Sequence, residues 1–148
     1  MFNSNINVKG NLKVILTDSN GVIKDEREIN NLVVSTGLDF IASRMKDTTA
    51  DAMSYMAIGT GTTAAAAGDT TLGTELDRNA LTSTTVASNV TTYVASWAAG
   101  DGTGAITEAG IFNAVSGGTM LARTVFDVVN KGANDSLTIT WSITISAS

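Results

Sequence analysis

The chain has 148 residues, with 9 Lys and Arg against 14 Asp and Glu for a net charge of −5, and it contains no histidine, no cysteine and no proline. Without imidazole or thiol there is no Ser/His/Asp triad, imidazole metal site, disulfide, thiolate zinc or Fe–S cluster, so acid–base chemistry would fall to carboxylates, Lys or Tyr. The acidic balance gives no electrostatic footprint for nucleic acid or an anionic bilayer, and the length suits a single domain over 1–148.

Residues 1–10 read as a flexible N-terminal arm. Met1-Phe2-Asn3-Ser4-Asn5 lacks the charged and apolar regions of a secretory signal. No run reaches the ~18 apolar residues of a membrane span, so a soluble protein with no membrane and no nucleic-acid partner is expected. Next, Asn11–Thr17 and Val22–Ile29 flank Asp18-Ser19-Asn20-Gly21, an Asn-Gly hairpin signal for a turn with positive φ at two positions. Leu38, Ile41, Ala42 and Met45 then recur at helical spacing, predicting one short amphipathic helix over about 36–47. Thr36 is its expected cap, Asp39 lies toward the positive end of its dipole, and Arg44 and Lys46 fall in its last turn.

Met53 to Ile58 reads as a strand, and the Ala-rich stretch Gly59–Gly73 as a loop with little apolar area to anchor it. Arg78–Val86 and Val90–Ala98 predict a second hairpin around Ala87-Ser88-Asn89. Ile106–Asn113 and Met120–Phe126 predict a third, with Gly117-Gly118 in the connection. Leu137, Ile139, Trp141, Ile143 and Ile145 alternate with Thr and Ser, the period of a strand with one buried and one wet face. Thr-rich, charge-poor segments suit the exposed side of a pleated sheet. The fold class is therefore mainly β and antiparallel, with one helix.

Several constellations invite functional readings. Gly59-Thr60-Gly61 after a strand mimics the start of a dinucleotide fingerprint, but antiparallel strands follow where a βαβ unit would be needed, so a tight loop is the better reading. Asp18, Asn20, Asp25 and Glu28 cluster oxygen donors near Gly21 as in a calcium loop, yet the glycine comes too early for EF-hand spacing and a hairpin explains the same residues. Glu75, Asp77, Asp101 and Glu108 are the acids available for a histidine-free glycosidase, beside Trp97 and Tyr93. Trp97 and Trp141 could form a sugar platform, although buried-face periodicity assigns both to the core. Glu108 stands apart because it interrupts the apolar run Ala105–Phe112. It is expected to be buried against Arg123 on the neighbouring strand as an opposite-charge structural pair. No catalytic residue, metal or cofactor is assigned.

A resemblance rests on Ile106-Thr107-Glu108-Ala109-Gly110-Ile111-Phe112-Asn113, on Gly117-Gly118-Thr119 with Met120–Phe126, on Asn130-Lys131-Gly132 and on the Thr-alternating last strand. It extends to Asn31-Leu32-Val33-Val34, Ile58-Gly59-Thr60-Gly61, Gly68-Asp69-Thr70 and Asp77-Arg78, and so covers most of the chain. These strings resemble tailed-bacteriophage virion structural proteins, in particular small capsid cement or decoration proteins. Similar strings occur in tail-fibre and baseplate modules, and the Glu-x-Gly-Ile-Phe element is moderately specific. The family pattern often carries proline where Ala65 and Asp127 stand here. The resemblance implies an antiparallel β-sandwich, jelly-roll-like, on the outer surface of the phage head. Its implied partners are the major capsid protein and itself, as a homodimer or homotrimer, with the arm and Gly59–Gly73 as candidate contacts. A tail, collar or fibre-base component is the alternative within that class, and a carbohydrate- or receptor-binding module the alternative outside it.

Overall fold

The computed structural model describes residues 5–46 and 50–147. Strands β1 (Ile6–Thr17) and β2 (Ile23–Val33) precede the helix α1 (Ser35–Ser43), and β3 (Tyr55–Gly59), β4 (Glu75–Ala80), β5 (Ser83–Ala87) and β6 (Val90–Trp97) follow it. Three more strands, β7 (Gly104–Phe112), β8 (Met120–Lys131) and β9 (Ser136–Ala147), complete one antiparallel sheet in the order β4-β3-β7-β8-β2-β1-β9-β6-β5. The sheet is curled into a half-barrel and wraps its own concave face around the core.

Alternation decides which face is buried. On β9, Leu137, Ile139 and Trp141 are fully buried and Ile143 nearly so, while the intervening Thr and Ser side chains face outward. Trp141 pairs with Leu12 of β1 on one side and Tyr93 of β6 on the other, and Trp97 lies opposite Leu137. Across the core, β3, β7 and β8 contribute Met56, Ile58, Ile106, Ile111 and Leu121.

Four expectations are corrected. Residues Ile6–Gly10 are no arm: they open β1 and pair with Ile143–Ala147 of β9, because Val8 completes the apolar row that continues through Leu12 and Val14. Met1–Ser4 lie outside the described residues. The Arg78–Val86 run is not one strand. It breaks at Leu81-Thr82, where Leu81 N–H donates to the Ser54 carbonyl (2.9 Å) and Thr82 N–H to the Val94 carbonyl (2.8 Å). Leu81 packs against the core at this corner and sends the chain from one end of the strand order to the other. The first hairpin uses positive φ at Gly21 alone (φ 80°), since the Asp18 carboxylate accepts the N–H of Asn20 and of Val22 and closes the turn itself.

The helix also differs from its predicted form. It ends at Ser43, and position 47 of the expected span lies outside the described residues. Val34 is the N-cap without a side-chain cap bond, and Thr36 instead donates from Oγ1 to the Met120 carbonyl (2.9 Å). Its inward face is built on Gly37, where an added Cβ would lie 2.0 Å from the Leu121 carbonyl oxygen. That close approach turns Phe40 and Ile41 onto the core and leaves Leu38 47% and Met45 86% exposed. A glycine contributes nothing to hydrophobic periodicity, and of the expected stripe Leu38, Ile41, Ala42 and Met45 only Ile41 turns inward.

Candidate functional site

Glu108 on β7 and Arg123 on β8 meet, with Arg123 Nη2 3.0 Å and Nε 3.2 Å from Glu108 Oε1. They are diagonal neighbours, since Arg123 lies opposite Gly110 and Glu108 opposite Val125. The guanidinium packs close to Gly73, where an added Cβ would lie 3.4 Å from Arg123 Nη2. Both residues are buried, Glu108 completely.

The network continues into the loop between β3 and β4. Arg123 Nη1 donates to Asp69 Oδ2 (2.8 Å) and Nη2 also to the Thr63 carbonyl (2.9 Å). Asp69 Oδ2 in turn accepts the Ala66 N–H (2.8 Å). Three backbone N–H groups converge on Glu108: Gly61 (2.6 Å) and Thr74 (2.7 Å) on Oε2, and Gly73 (2.7 Å) on Oε1. A Cβ at Gly61 would stand 2.3 Å from Glu108 Oε2, so glycine is what permits this approach. The loop thus forms the backbone nest typical of anion sites, and its anion is the chain's own Glu108. The resemblance of Gly59-Thr60-Gly61 to a nucleotide fingerprint has this physical origin.

Electrostatics follow the geometry. Burial alone would raise the Glu108 carboxyl, but the N–H groups of Thr74 and Gly73, Arg123 and the Gly61 N–H outweigh it and hold the group below the ordinary carboxylate range. Asp69 is likewise lowered, first by the Ala66 N–H and, against a desolvation cost, by Arg123. With five donors on its two oxygens, Glu108 has no lone pair directed at a ligand. The arrangement fastens a Gly- and Ala-rich loop to the sheet, and Leu72 under that loop joins Val34, Ala57, Phe112 and Met120 in a second small core.

The other sequence candidates do not come together. Trp97 and Trp141 are fully buried, Trp141 donating from Nε1 to Asn31 Oδ1 (3.0 Å), so neither offers a sugar platform. Glu75 is paired with Arg78 (2.6 Å), whose guanidinium also lies over the Phe112 ring at 3.8 Å. Asp77 and Asp101 act on Lys131 rather than on a cleft. In the supposed calcium loop Asp18 closes the turn and Asp25 pairs with Arg27 (2.8 Å). Among the described residues no three acidic side chains gather as a metal site would require.

Sequence reasoning missed four residues. Asp69, the third charge of the network, sits in the low-complexity loop 54 positions before Arg123. Lys131 is 2% exposed and donates from Nζ to the Ala98 carbonyl (3.0 Å), and burial lowers its pKa against the opposing fields of Asp135, Asp101 and Asp77. Gly10 makes way for Asn31, since a Cβ there would lie 1.6 Å from Asn31 Oδ1. Arg27 reaches from β2 to the carbonyls of Asp127 and Val128, where the β7/β8 register slips between Ile106 and Glu108. The signal for the last was a cation at a half-buried position within the charged run Lys24–Glu28 of β2.

An apolar groove of about 300 Å³ opens between α1 and the concave face of β5, β6 and β9. Phe40, Ile41 and Arg44 line one wall, and Val86, Tyr93, Ile143 and Ile145 the other. No family model, no curated protein and no solved structure matches this chain.

Proposed function

We propose that the chain is a structural component of a tailed-phage virion, a head cement protein that docks on the outside of a shell of major capsid protein. One observation carries the reading: apolar side chains that line the groove stand in solvent, with Val86 72% and Ile145 37% exposed. Side chains of that kind, grouped around a concavity, mark a contact surface. The strongly coupled charges are engaged in fastening the chain's own loop, which suits a rigid assembly part. The resemblance of the Glu108–Phe112 and Gly117–Phe126 strings supports the phage setting. Under the same proposal the curled sheet is a two-layer, jelly-roll-like sandwich.

Antibody labelling of purified virions tests the reading. A cement protein decorates the whole shell in hundreds of copies. Label confined to one vertex would instead assign the chain to the tail or collar, and its absence from the particle would overturn both.

A further inference from the structure

We propose that two copies of this chain pair through β5, antiparallel about a twofold axis, so that their sheets join edge to edge. This deepens the assembly reading above, on which its biological setting rests, by naming the contact between copies.

β5 is the last strand in the order and, among the described residues, pairs only with β6. All five of its residues are exposed. Such an edge displays unpaired N–H and C=O groups, and proteins that must stay apart guard it with Lys, Pro, a bulge or a covering loop. Ser83-Thr84-Thr85-Val86-Ala87 carries neither Lys nor Pro, and its register with β6 is unbroken.

Charge selects the occupant. No charged residue stands between Arg78 and Asp101, so the whole β5–β6 hairpin is neutral on a chain of net charge −5. Two copies approaching elsewhere bring like charge together, whereas this hairpin lets them meet without that repulsion. A twofold contact needs only one patch that fits itself. Thr and Val side chains from two such edges form favourable cross-strand pairs, and Val86, 72% exposed, gains burial from them. Arg44, across the groove, is engaged over the Phe40 ring and with the Ala50 carbonyl.

Sedimentation velocity from about 1 to about 200 µM, the range of a modest interface, should show a monomer–dimer equilibrium. Thr85→Lys and Val86→Lys fall on opposite faces of the exposed strand, so melting temperatures should stay at the wild-type value. Each should weaken dimerisation about ten-fold or more by setting like charges against each other at the axis. Because each added cation lowers the overall repulsion of an acidic chain, lost association cannot be a net-charge effect. Amide exchange at residues 83–87 should slow as the wild-type concentration rises. A monomer throughout the range, a trimer, or a dimer indifferent to both substitutions overturns the pairing. Protection of β5 that appears only on adding shell protein overturns it in favour of a foreign strand. A monomer leaves the location on the virion untouched, and a failed virion label leaves the dimer standing.

Discussion

Replacing Glu108 by Gln keeps the volume and removes the charge, so it isolates what the carboxylate does for the loop between β3 and β4. An amide has one acceptor oxygen and one NH₂ group. If the oxygen takes the Oε1 position it keeps Arg123 and the Gly73 N–H, and the NH₂ group then faces the N–H of Gly61 and of Thr74, which lose their acceptor. The reverse orientation abandons three donors instead of two, so the first is the cheaper. Each unsatisfied buried N–H costs about 1–3 kcal/mol. Arg123 keeps Asp69 as a counter-charge, so the larger penalty of an orphaned buried cation is only partly incurred. The expected loss is about 3–5 kcal/mol, a large part of the ~5–15 kcal/mol that a domain possesses. At ~2–4 °C per kcal/mol for a chain of this size, the melting temperature should fall by roughly 6–20 °C. Urea denaturation at neutral pH measures the loss directly.

The pH dependence supplies the internal control. Glu108 and Asp69 are held below the ordinary carboxyl range, so the unfolded chain binds more protons than the folded one as the solution is acidified. Their stabilisation is complete above the unfolded value of about 4 and is lost as pH falls through the lower folded values. Wild type and Glu108→Gln should therefore converge in acid and diverge toward neutrality. A difference below about 1 kcal/mol at neutral pH, or one that does not shrink in acid, would refute the reasoning.

Three further substitutions probe the framework. Gly37→Ala places a methyl against the Leu121 backbone and should cost about 1–3 kcal/mol in urea denaturation, although alanine favours helices. Gly10→Ala displaces Asn31 and leaves the Trp141 indole N–H without its acceptor, for a loss of about 1–3 kcal/mol, together with altered tryptophan fluorescence. Lys131→Met fills the same space without a buried charge. Its stability should lie within about 1 kcal/mol of wild type or above it at neutral pH, and the variant should lose the rise in wild-type stability between the depressed folded pKa of Lys131 and ~10.4.

What the sequence conveyed depended on how locally each feature was encoded. β9 was readable residue by residue because alternation is a local property, and Gly117-Gly118 marked the connection from β7 to β8 because positive φ (59° and 75°) has few other hosts. Glu108 was conspicuous as one acid in an apolar run. Its pairing register and its third partner, Asp69, were not, since a low-complexity loop shows no sign of what it folds back upon. The inward face of α1 was misread for a related reason: Gly37 makes the closest contact with no side chain. The break at Leu81-Thr82 is a decision of the whole sheet, because the Thr-rich run around it has no buried alternation to hold it on one side.

The pairing of β1 with β9, Val8 opposite Ile145, bears on how the molecule is made. β1 and β2 leave the ribosome early as a hairpin, but the other edge of β1 waits for the last strand. At ~5–20 residues per second, the stretch between Thr17 and Ser136 takes about 6–24 s to synthesise. Throughout that interval Leu12, Val14 and Leu16 lack their final neighbours. Folding of the complete sheet is therefore tied to the synthesis of β9. The nascent chain, more than the finished one, is where a chaperone would find its apolar surface.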